Sequence, residues 1–280
     1  MQNAEVIEIF EKYLVNDKKA SANTLSSYMR DIRKYCDYLE IHTEETIVSA
    51  SEDDVHEYID YLRASGKSVA TVSRNIASLK CLYTHLCIKQ IVKVNPAMKL
   101  VPDKGAQKLP QILTSKEVEL LLQQPQLTDF KGYRDKAMLE LLYATGIRAS
   151  ELIEMQIEEI NIRMGFVKCA GTHGSARIIP IGKPCRHAME VYVSEVRETL
   201  LKGKESESLF LNYAGNPFTR QGLWKILKEY GEAANFAIPL TPQVIRNSFA
   251  VHMLQNGADV KSLQELMGHE DISATQAYLA

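Results

Sequence analysis

Between residues 240 and 259 the chain reads Leu-Thr-Pro-Gln-Val-Ile-Arg-Asn-Ser-Phe-Ala-Val-His-Met-Leu-Gln-Asn-Gly-Ala-Asp, and between 267 and 278 it reads Met-Gly-His-Glu-Asp-Ile-Ser-Ala-Thr-Gln-Ala-Tyr. Thr241 is a good helix N-cap, and Pro242 occupies a first-turn position where its missing N–H is not needed, so a helix is expected to start here. Gln243 and Arg246, three residues apart, then share a face and aim an amide and a guanidinium at one point, beside a helix N-terminus that attracts anions. Asn256 and Gly257 end that helix and Asp259 caps the next. Gly268 reads as a left-handed stop that sets the direction in which His269 departs. Ser273 and Gln276 read as a capping-box pair opening a final helix that carries Tyr278. Three helix ends would thus present an arginine, a histidine and a tyrosine within one unit.

Three separated boxes carry a resemblance. The run Leu240-Thr-Pro-Gln243-Val-Ile-Arg246-Asn-Ser-Phe-Ala250 resembles the H-x-x-R box of tyrosine recombinases of the Xer and phage-integrase type, with Gln243 where histidine is usual. Leu266-Met-Gly-His269, with Tyr278 nine residues later, resembles the family's L-G-H box and nucleophile. Ala144-Thr-Gly-Ile-Arg148-Ala-Ser-Glu-Leu152 resembles its first arginine box. Any one box alone is weak, whereas all three in order at these separations are specific.

Bulk composition adds boundaries rather than identity. With 280 residues, 45% of them hydrophobic, two ordinary globular domains are expected. The formal net charge of −2 points to no partner, but its distribution is uneven. Glu40, Glu44, Glu45, Glu52, Asp53, Asp54, Glu57 and Asp60 form an acidic run. Lys67, Arg74, Lys80, Lys89, Lys93, Lys99, Lys104 and Lys108 follow, opposed by Asp103 alone. Such a reversal suggests one face turned to a polyanion and one turned away, or a solvated surface with accidental patterning. The cysteines, Cys36, Cys81, Cys87, Cys169 and Cys185, are odd in number and show neither paired nor zinc-ligand spacing, which reads as apolar filler in a reducing cytoplasm. The acidic N-terminus has no uninterrupted apolar run, so neither a signal peptide nor a membrane span is expected.

Helical periodicity organises the first hundred residues. Val6, Ile9, Phe10, Tyr13 and Leu14 give a first amphipathic helix. Leu25, Tyr28, Ile32, Tyr35 and Leu39 form the stripe of a second, Val55, Ile59 and Leu62 that of a third capped by Ser51, and Val72, Ile76, Leu79, Tyr83 and Leu86 that of a fourth. Four helices, each apolar on one face, imply a bundle. The Asn23-Thr-Leu-Ser-Ser-Tyr28 run and Thr71-Val-Ser-Arg-Asn-Ile-Ala-Ser-Leu-Lys80 are similar to the family's SAM-like core-binding domain. Thr24, Arg30, Arg33, Ser73, Arg74 and Lys80 are the candidate DNA contacts, being side chains suited to phosphates and base edges. Residues 1–98 are assigned to this domain, 99–112 to a lysine-bearing linker, and 113–280 to a catalytic domain. The linker suits a clamp around duplex DNA or any exposed connection.

Within the second domain a helix is expected from Thr114 or Ser115 to Leu122, then another from Tyr133 to Thr145 that Gly146 terminates. Arg148 follows at this break, and helix resumes from Ala149 to Met155, with Glu151 placed to hold the guanidinium. The period then changes. Ile162, Phe166, Val167, Ile178, Ile179 and Ile181 flank a Gly171-Thr-His-Gly-Ser turn and read as a β-hairpin. Pro184–Leu201 reads as a helix, Leu209–Leu211 as a short strand, and Thr219–Tyr230 as a helix with Trp224 in the core. The fold class expected is mainly α (α+β), a SAM-like four-helix bundle followed by a mostly helical catalytic domain with a small hairpin or sheet.

The resemblance implies a site-specific DNA recombinase that cleaves and rejoins strands through a 3′-phosphotyrosyl link. In that reading Tyr278 attacks, Arg148 and Arg246 grip the non-bridging oxygens, His269 assists, and Gln243 donates a hydrogen bond without shuttling a proton. The family lysine that protonates the leaving group would fall at Thr172, with Lys168 four residues earlier and His173 adjacent. Double-stranded DNA is the implied partner, with a tetramer in synapsis. No cofactor or metal is expected, because the bond energy is kept in the phosphotyrosyl link. The sequence reaches two residues past Tyr278, where family members continue into a tail helix. The alternatives are a catalytically weakened or inactive DNA-binding protein of the same fold, and a helical protein-interaction module.

Overall fold

Ser21, Ser51 and Ser68 each accept a hydrogen bond from the backbone N–H three residues on, and the three longest helices of the N-terminal unit begin there. These are α2 (Ala22–His42), α3 (Glu52–Ala64) and α4 (Val69–Ile88); α1 (Asn3–Lys12) precedes them and runs into a wider π turn over Tyr13–Asp17. The computed structural model describes residues 1–103, 109–170 and 176–279. It divides into two compact units, Met1–Gln107 and Lys108–Ala280.

In the first unit the expected stripes meet in one core that includes Phe10, Leu14, Ile32, Leu39, Ile59 and Leu86. Buried tyrosines need partners for their hydroxyls. Tyr35 and Tyr83 share a hydrogen bond of 2.9 Å, Tyr83 also donates to the Ile47 carbonyl at 3.0 Å, and Tyr58 donates to Asn75 at 3.1 Å. One charge is locked inside: Asp31, 2% exposed, receives both Nε and Nη2 of Arg74 at 2.8 Å. The acidic and basic runs are not fully segregated, since Lys99 pairs with Glu52 at 2.9 Å and Arg63 bridges Asp60 and Asp103.

The second unit opens with α5 (Ser115–Gln123), whose cap Thr114 forms a reciprocal pair with Glu117. Next comes α6 (Phe130–Thr145), which starts three residues before the expected Tyr133 because Asp129 caps it. This helix is buried on most of its circumference and forms the centre of the domain, contacting α5 and the later helices over Lys183–Val191 and Pro242–Gln255. Gly146 ends it at φ +58°, and α7 (Ala149–Glu154) resumes after Arg148. The hairpin region is a three-stranded antiparallel sheet, β1 (Ile160–Asn161), β2 (Phe166–Cys169) and β3 (Arg177–Pro180), with Val167 opposite both Ile160 and Ile179. Then follow α8 (Lys183–Val191), a π turn at Tyr192–Val196, α9 (Arg197–Leu201), α10 (Arg220–Ala233), α11 (Pro242–Gln255), α12 (Val260–Met267) and α13 (Ser273–Gln276).

Several expectations change. Among the described residues Leu209–Leu211 joins no ladder; it has isolated bridges, from the preceding Ser208 to Gln156 and from Leu211 to Pro217. The backbone there instead feeds side chains, with Tyr192 and Arg197 both donating to the Leu209 carbonyl. Trp224 is 47% exposed rather than in the core, because α10 turns Leu223, Ile226 and Leu227 inward. Ser273 is the first residue of α13 rather than its cap. The Asp271 carboxylate accepts from the Ser273 N–H at 2.9 Å, and a four-residue helix ends before Tyr278.

Gly146 has no room for a side chain, since a Cβ there would lie 2.3 Å from the Phe249 ring. A left-handed φ compounds the clash. Gly146→Ala is therefore expected to destabilise the protein by roughly 2–4 kcal/mol, combining backbone strain and overpacking. Urea unfolding of the variant beside wild type measures this.

Candidate active site

A helix that stops leaves its last carbonyls without intrahelical donors. At the end of α12 three arginines supply them. Arg177 donates from Nε to the Leu266 carbonyl at 2.8 Å, Arg246 from Nη2 to Met267 at 2.7 Å, and Arg148 from Nη2 to Gly268 at 2.8 Å. Gly268 adopts the left-handed cap expected of it, at φ +63°, and a Cβ would crowd the Arg177 guanidinium at 3.0 Å. The other end of Arg246 is held by the Gly146 carbonyl, so both glycine-terminated helices contribute a carbonyl to it.

Among the described residues the carboxylate that pairs with this cluster is that of Glu151. Glu151 accepts from Arg148 Nη1 at 3.0 Å and from both Nη atoms of Arg177 at 2.9 Å, and it also receives the Arg148 backbone N–H at 2.7 Å. Burial alone would raise its pKa, but the hydrogen bonds from Arg177 and Arg148 hold it below the usual carboxylate range. Arg246, 4% exposed, is pushed down to about 10 by burial and by the neighbouring Arg148 charge. Each guanidinium has five N–H groups. Arg148 commits two side-chain donors and Arg246 three, so donors remain on both for an anion.

His269 follows Gly268 directly into this field. Its Nε2 lies 3.1 Å from Arg246 Nη2 and its Nδ1 2.8 Å from the hydroxyl of buried Thr275. A guanidinium can only donate, so Nε2 accepts and Nδ1 carries the hydrogen. Burial, then Arg246, Arg148 and Arg177, lower the His269 pKa to about 4. The Tyr278 ring stacks beside it at 6.3 Å between centroids. Tyr278 is 9% exposed and its hydroxyl donates to Asn247 Oδ1 at 3.2 Å. Its pKa is raised by burial, against a lowering pull from Arg246, Arg148 and a hydrogen bond from Gln243. Gln243 also donates to Asn247 Oδ1 at 2.7 Å.

Tyr278, Arg148, Arg246, His269 and Gln243 are thus brought together. Two functional neighbours were not anticipated. Arg177 is separated from Glu151 by 26 residues, a pairing to which no local periodicity points. Asn247 could have been suspected, being four residues after Gln243 on the same helix face. Thr172 and His173 lie outside the described residues. Lys168 is exposed on β2 and lines a cleft of about 600 Å³ with Arg148, Glu151, Gly268, His269 and Ala274. Among the described residues no group of three or more His, Cys, Asp or Glu side chains is placed to hold a metal ion.

The candidate contacts of the N-terminal unit differ in availability. Arg30 and Arg33 are exposed, border one cleft with Lys34 and Ser26, and form no ion pair among the described residues. Ser73 and Lys80 are half-buried on α4. Thr24 is engaged with the Ser21 cap at 2.9 Å, and Arg74 is committed to Asp31.

Residues 111–280 match the Phage integrase family, and residues 7–90 match the N-terminal SAM-like domain of phage integrases. The chain is 42% identical over 274 residues to the Tyrosine recombinase XerD of Oceanobacillus iheyensis, covering 97% of this chain and 92% of that protein. It is 40% identical over 273 residues to that of Staphylococcus haemolyticus, covering 98% and 92%. The fold is similar to XerH bound to palindromic difH substrate, with a TM-score of 0.78 at 19% identity over 97% of this chain and 80% of that one. It is also similar to a lambda integrase dimer bound to a COC′ core site, with a TM-score of 0.78 at 16% identity over 100% and 96%.

Protonation of His269 is opposed in the folded state, so its pKa lies below the unfolded value of 6.5. The unfolded chain then binds more protons as pH falls from 6.5 toward 4, and stability declines over that window. His269→Asn should lose less melting temperature than wild type between these pH values, as a thermal-melt series across pH would record. His85 and His252, also lowered by burial, contribute equally to both proteins.

Proposed function

The chain belongs to the phage integrase family, and on that premise we infer that it is a site-specific tyrosine recombinase using Tyr278 as its nucleophile. The observation that supports the residue assignment is the placement of Arg246 and Arg148 where both act on the Tyr278 hydroxyl, with Arg148 held by Glu151 and Arg246 by helix-end carbonyls. The tyrosine oxygen attacks a phosphodiester phosphorus, the bond to the 5′ oxygen breaks, and a 3′-phosphotyrosyl link holds the cut strand. Unused N–H groups of Arg148 and Arg246 meet the charge on the non-bridging oxygens, a task for which planar guanidinium suits better than ammonium. A phosphate bound there raises the His269 pKa from its depressed value and lets it share in proton transfer.

Attack of a new 5′ hydroxyl on the link reverses the chemistry and joins exchanged strands. Exchange between two duplexes requires four cleavages and each chain offers one Tyr278, so the working assembly is a tetramer on double-stranded DNA. Arg30, Arg33, Ser73 and Lys80 make phosphate or base contacts from the N-terminal unit, with Thr24 and Arg74 shaping that face. Among the described residues no helix is long and apolar enough to cross a membrane. We place the reaction in the cytoplasm, which suits five unpaired cysteines. A recombinase-fold protein that only binds DNA is not favoured by relatives at about 40% identity that are named recombinases.

Gln243 supplies a hydrogen bond but no proton, and loss of a positioned acid or base slows a step by about 100- to 10,000-fold. Tyr278→Phe should bind DNA like wild type and form no covalent adduct with a nicked suicide duplex; an adduct in this variant would name a different nucleophile. Arg30→Ala with Arg33→Ala should weaken binding and reduce the slope of log affinity against log salt by about two. A salt series by fluorescence anisotropy checks it. With a substrate whose scissile 5′ oxygen is replaced by sulfur, which leaves without protonation, wild-type cleavage should be markedly faster than with oxygen. Equal single-turnover rates would place the slow step before bond breaking.

A further inference from the structure

Asn247 sits on α11 one turn beyond Gln243, and three contacts determine how its amide is turned. Its Nδ2 donates to the Gln111 carbonyl at 3.1 Å, which can only accept. The Oδ1 atom therefore faces the other way, where it accepts from Gln243 Nε2 at 2.7 Å and from the Tyr278 hydroxyl at 3.2 Å. Both lone pairs of that oxygen are used. The supporting chain is itself fixed, since the Leu113 N–H donates to Ser248 on the same helix at 2.8 Å. Asn247 is 8% exposed, and the tyrosine hydroxyl beside it is shielded from water.

An amide oxygen accepts a hydrogen bond and cannot take the proton. It favours the neutral hydroxyl and repels a phenolate, because two oxygens bearing negative charge would then face each other. Arg246, Arg148 and a hydrogen bond from Gln243 act in the opposite sense on the same oxygen. The hydroxyl of Tyr278 thus lies between an acceptor that holds its proton and cations that favour its loss.

We propose that Asn247 is a positioning residue for the nucleophile, one that holds Tyr278 as a neutral hydrogen-bond donor and restrains its attack until the bound DNA phosphate draws the oxygen away. The proposal rests on Tyr278 being the nucleophile, as inferred above. Gln243 and the Gln111 carbonyl orient the amide, and Asn247 acts only through the tyrosine.

The test is single-turnover adduct formation on a nicked duplex at saturating protein, followed from about pH 6 to pH 9, with DNA affinity and melting temperature measured in parallel. Removing the acceptor should release the restraint, so Asn247→Ala and Asn247→Ser should form adduct about threefold to tenfold faster than wild type, the rate equivalent of one neutral hydrogen bond. Asn247→Asp keeps an acceptor and makes it anionic. It should be about tenfold slower, with its rate rising only at higher pH. This opposite pair of responses is not what a structural role produces, which would slow all three variants and lower their melting temperatures. Should alanine fold poorly, serine and aspartate still give the two directions.

Alanine and serine variants no faster than a reactive wild type overturn the proposal and leave the recombinase reading intact. An aspartate variant as fast as wild type overturns it as well. If wild type forms no Tyr278-dependent adduct at all, the nucleophile assignment falls first and this inference falls with it.

Discussion

The catalytic unit depends on how the C-terminus of α12 is satisfied. Leu266, Met267 and Gly268 present three successive carbonyls, and each takes a hydrogen bond from a different arginine. A helix C-terminus carries partial negative charge, so cations are favoured there. Here the preference has a geometric result as well. Arg148 comes from the N-cap of α7, Arg177 from β3 and Arg246 from α11, and the one helix end brings all three to a common place. Glu151 then sets the separation of Arg148 and Arg177 by accepting from both. Replacing one of these carbonyls by water would leave its arginine held at one end only, by Glu151 for Arg148 and Arg177 and by the Gly146 carbonyl and His269 for Arg246.

Within that arrangement Arg148, Arg177 and Arg246 all feel the carboxylate of Glu151. Burial, and after it the neighbouring cations, lower the pKa values of Arg246 and His269. The same field reaches Tyr278 and partly offsets the effect of burial on its hydroxyl. Uncharged groups complete the surroundings, namely Gln243, Asn247 and Thr275. They fix orientation through hydrogen bonds and add no charge. Among the described residues His269 and Lys168 are the titratable groups other than arginine, cysteine and carboxylates that line the cleft at this site.

In the N-terminal unit charge is managed differently. Arg74 is half-buried and serves Asp31, whose carboxylate would otherwise sit in the core without a counter-ion. Arg30 and Arg33, one turn apart on α2, have no such duty and point to solvent. Arg74 on the one hand and Arg30 and Arg33 on the other thus divide into a structural and an available class, and the distinction is set by the neighbouring helix. A patch of basic sequence accordingly overstates the cations available to a polyanion. Lys99, paired with Glu52, is a second case.

Local chemistry made much of this legible in advance. Serine and threonine caps, the left-handed glycines at 146 and 268, the apolar stripes of the four N-terminal helices and the period change near residue 160 are all determined by residues within a few positions of one another. The sequence by itself determined where α6 stops, where α11 starts and where α12 stops, and with them the positions of Arg148, Arg246 and His269, because a cap or stop needs only its own turn of helix. Gln276 was misread as half of a capping box because Asp271, two residues upstream of Ser273, competes better for the same N–H. Tertiary structure decided the rest. Whether Trp224 faces inward, whether Leu209–Leu211 finds a strand to pair with, that Arg177 reaches Glu151, and that Arg74 is spent on Asp31 all turn on partners tens of residues away. Likewise the side-chain oxygen that holds the Tyr278 hydroxyl was decided by the path of residues 111–113 across α11. A buried polar group takes whichever partner packing places within about 3 Å, and that partner is chosen by the folded chain rather than by its neighbours in sequence.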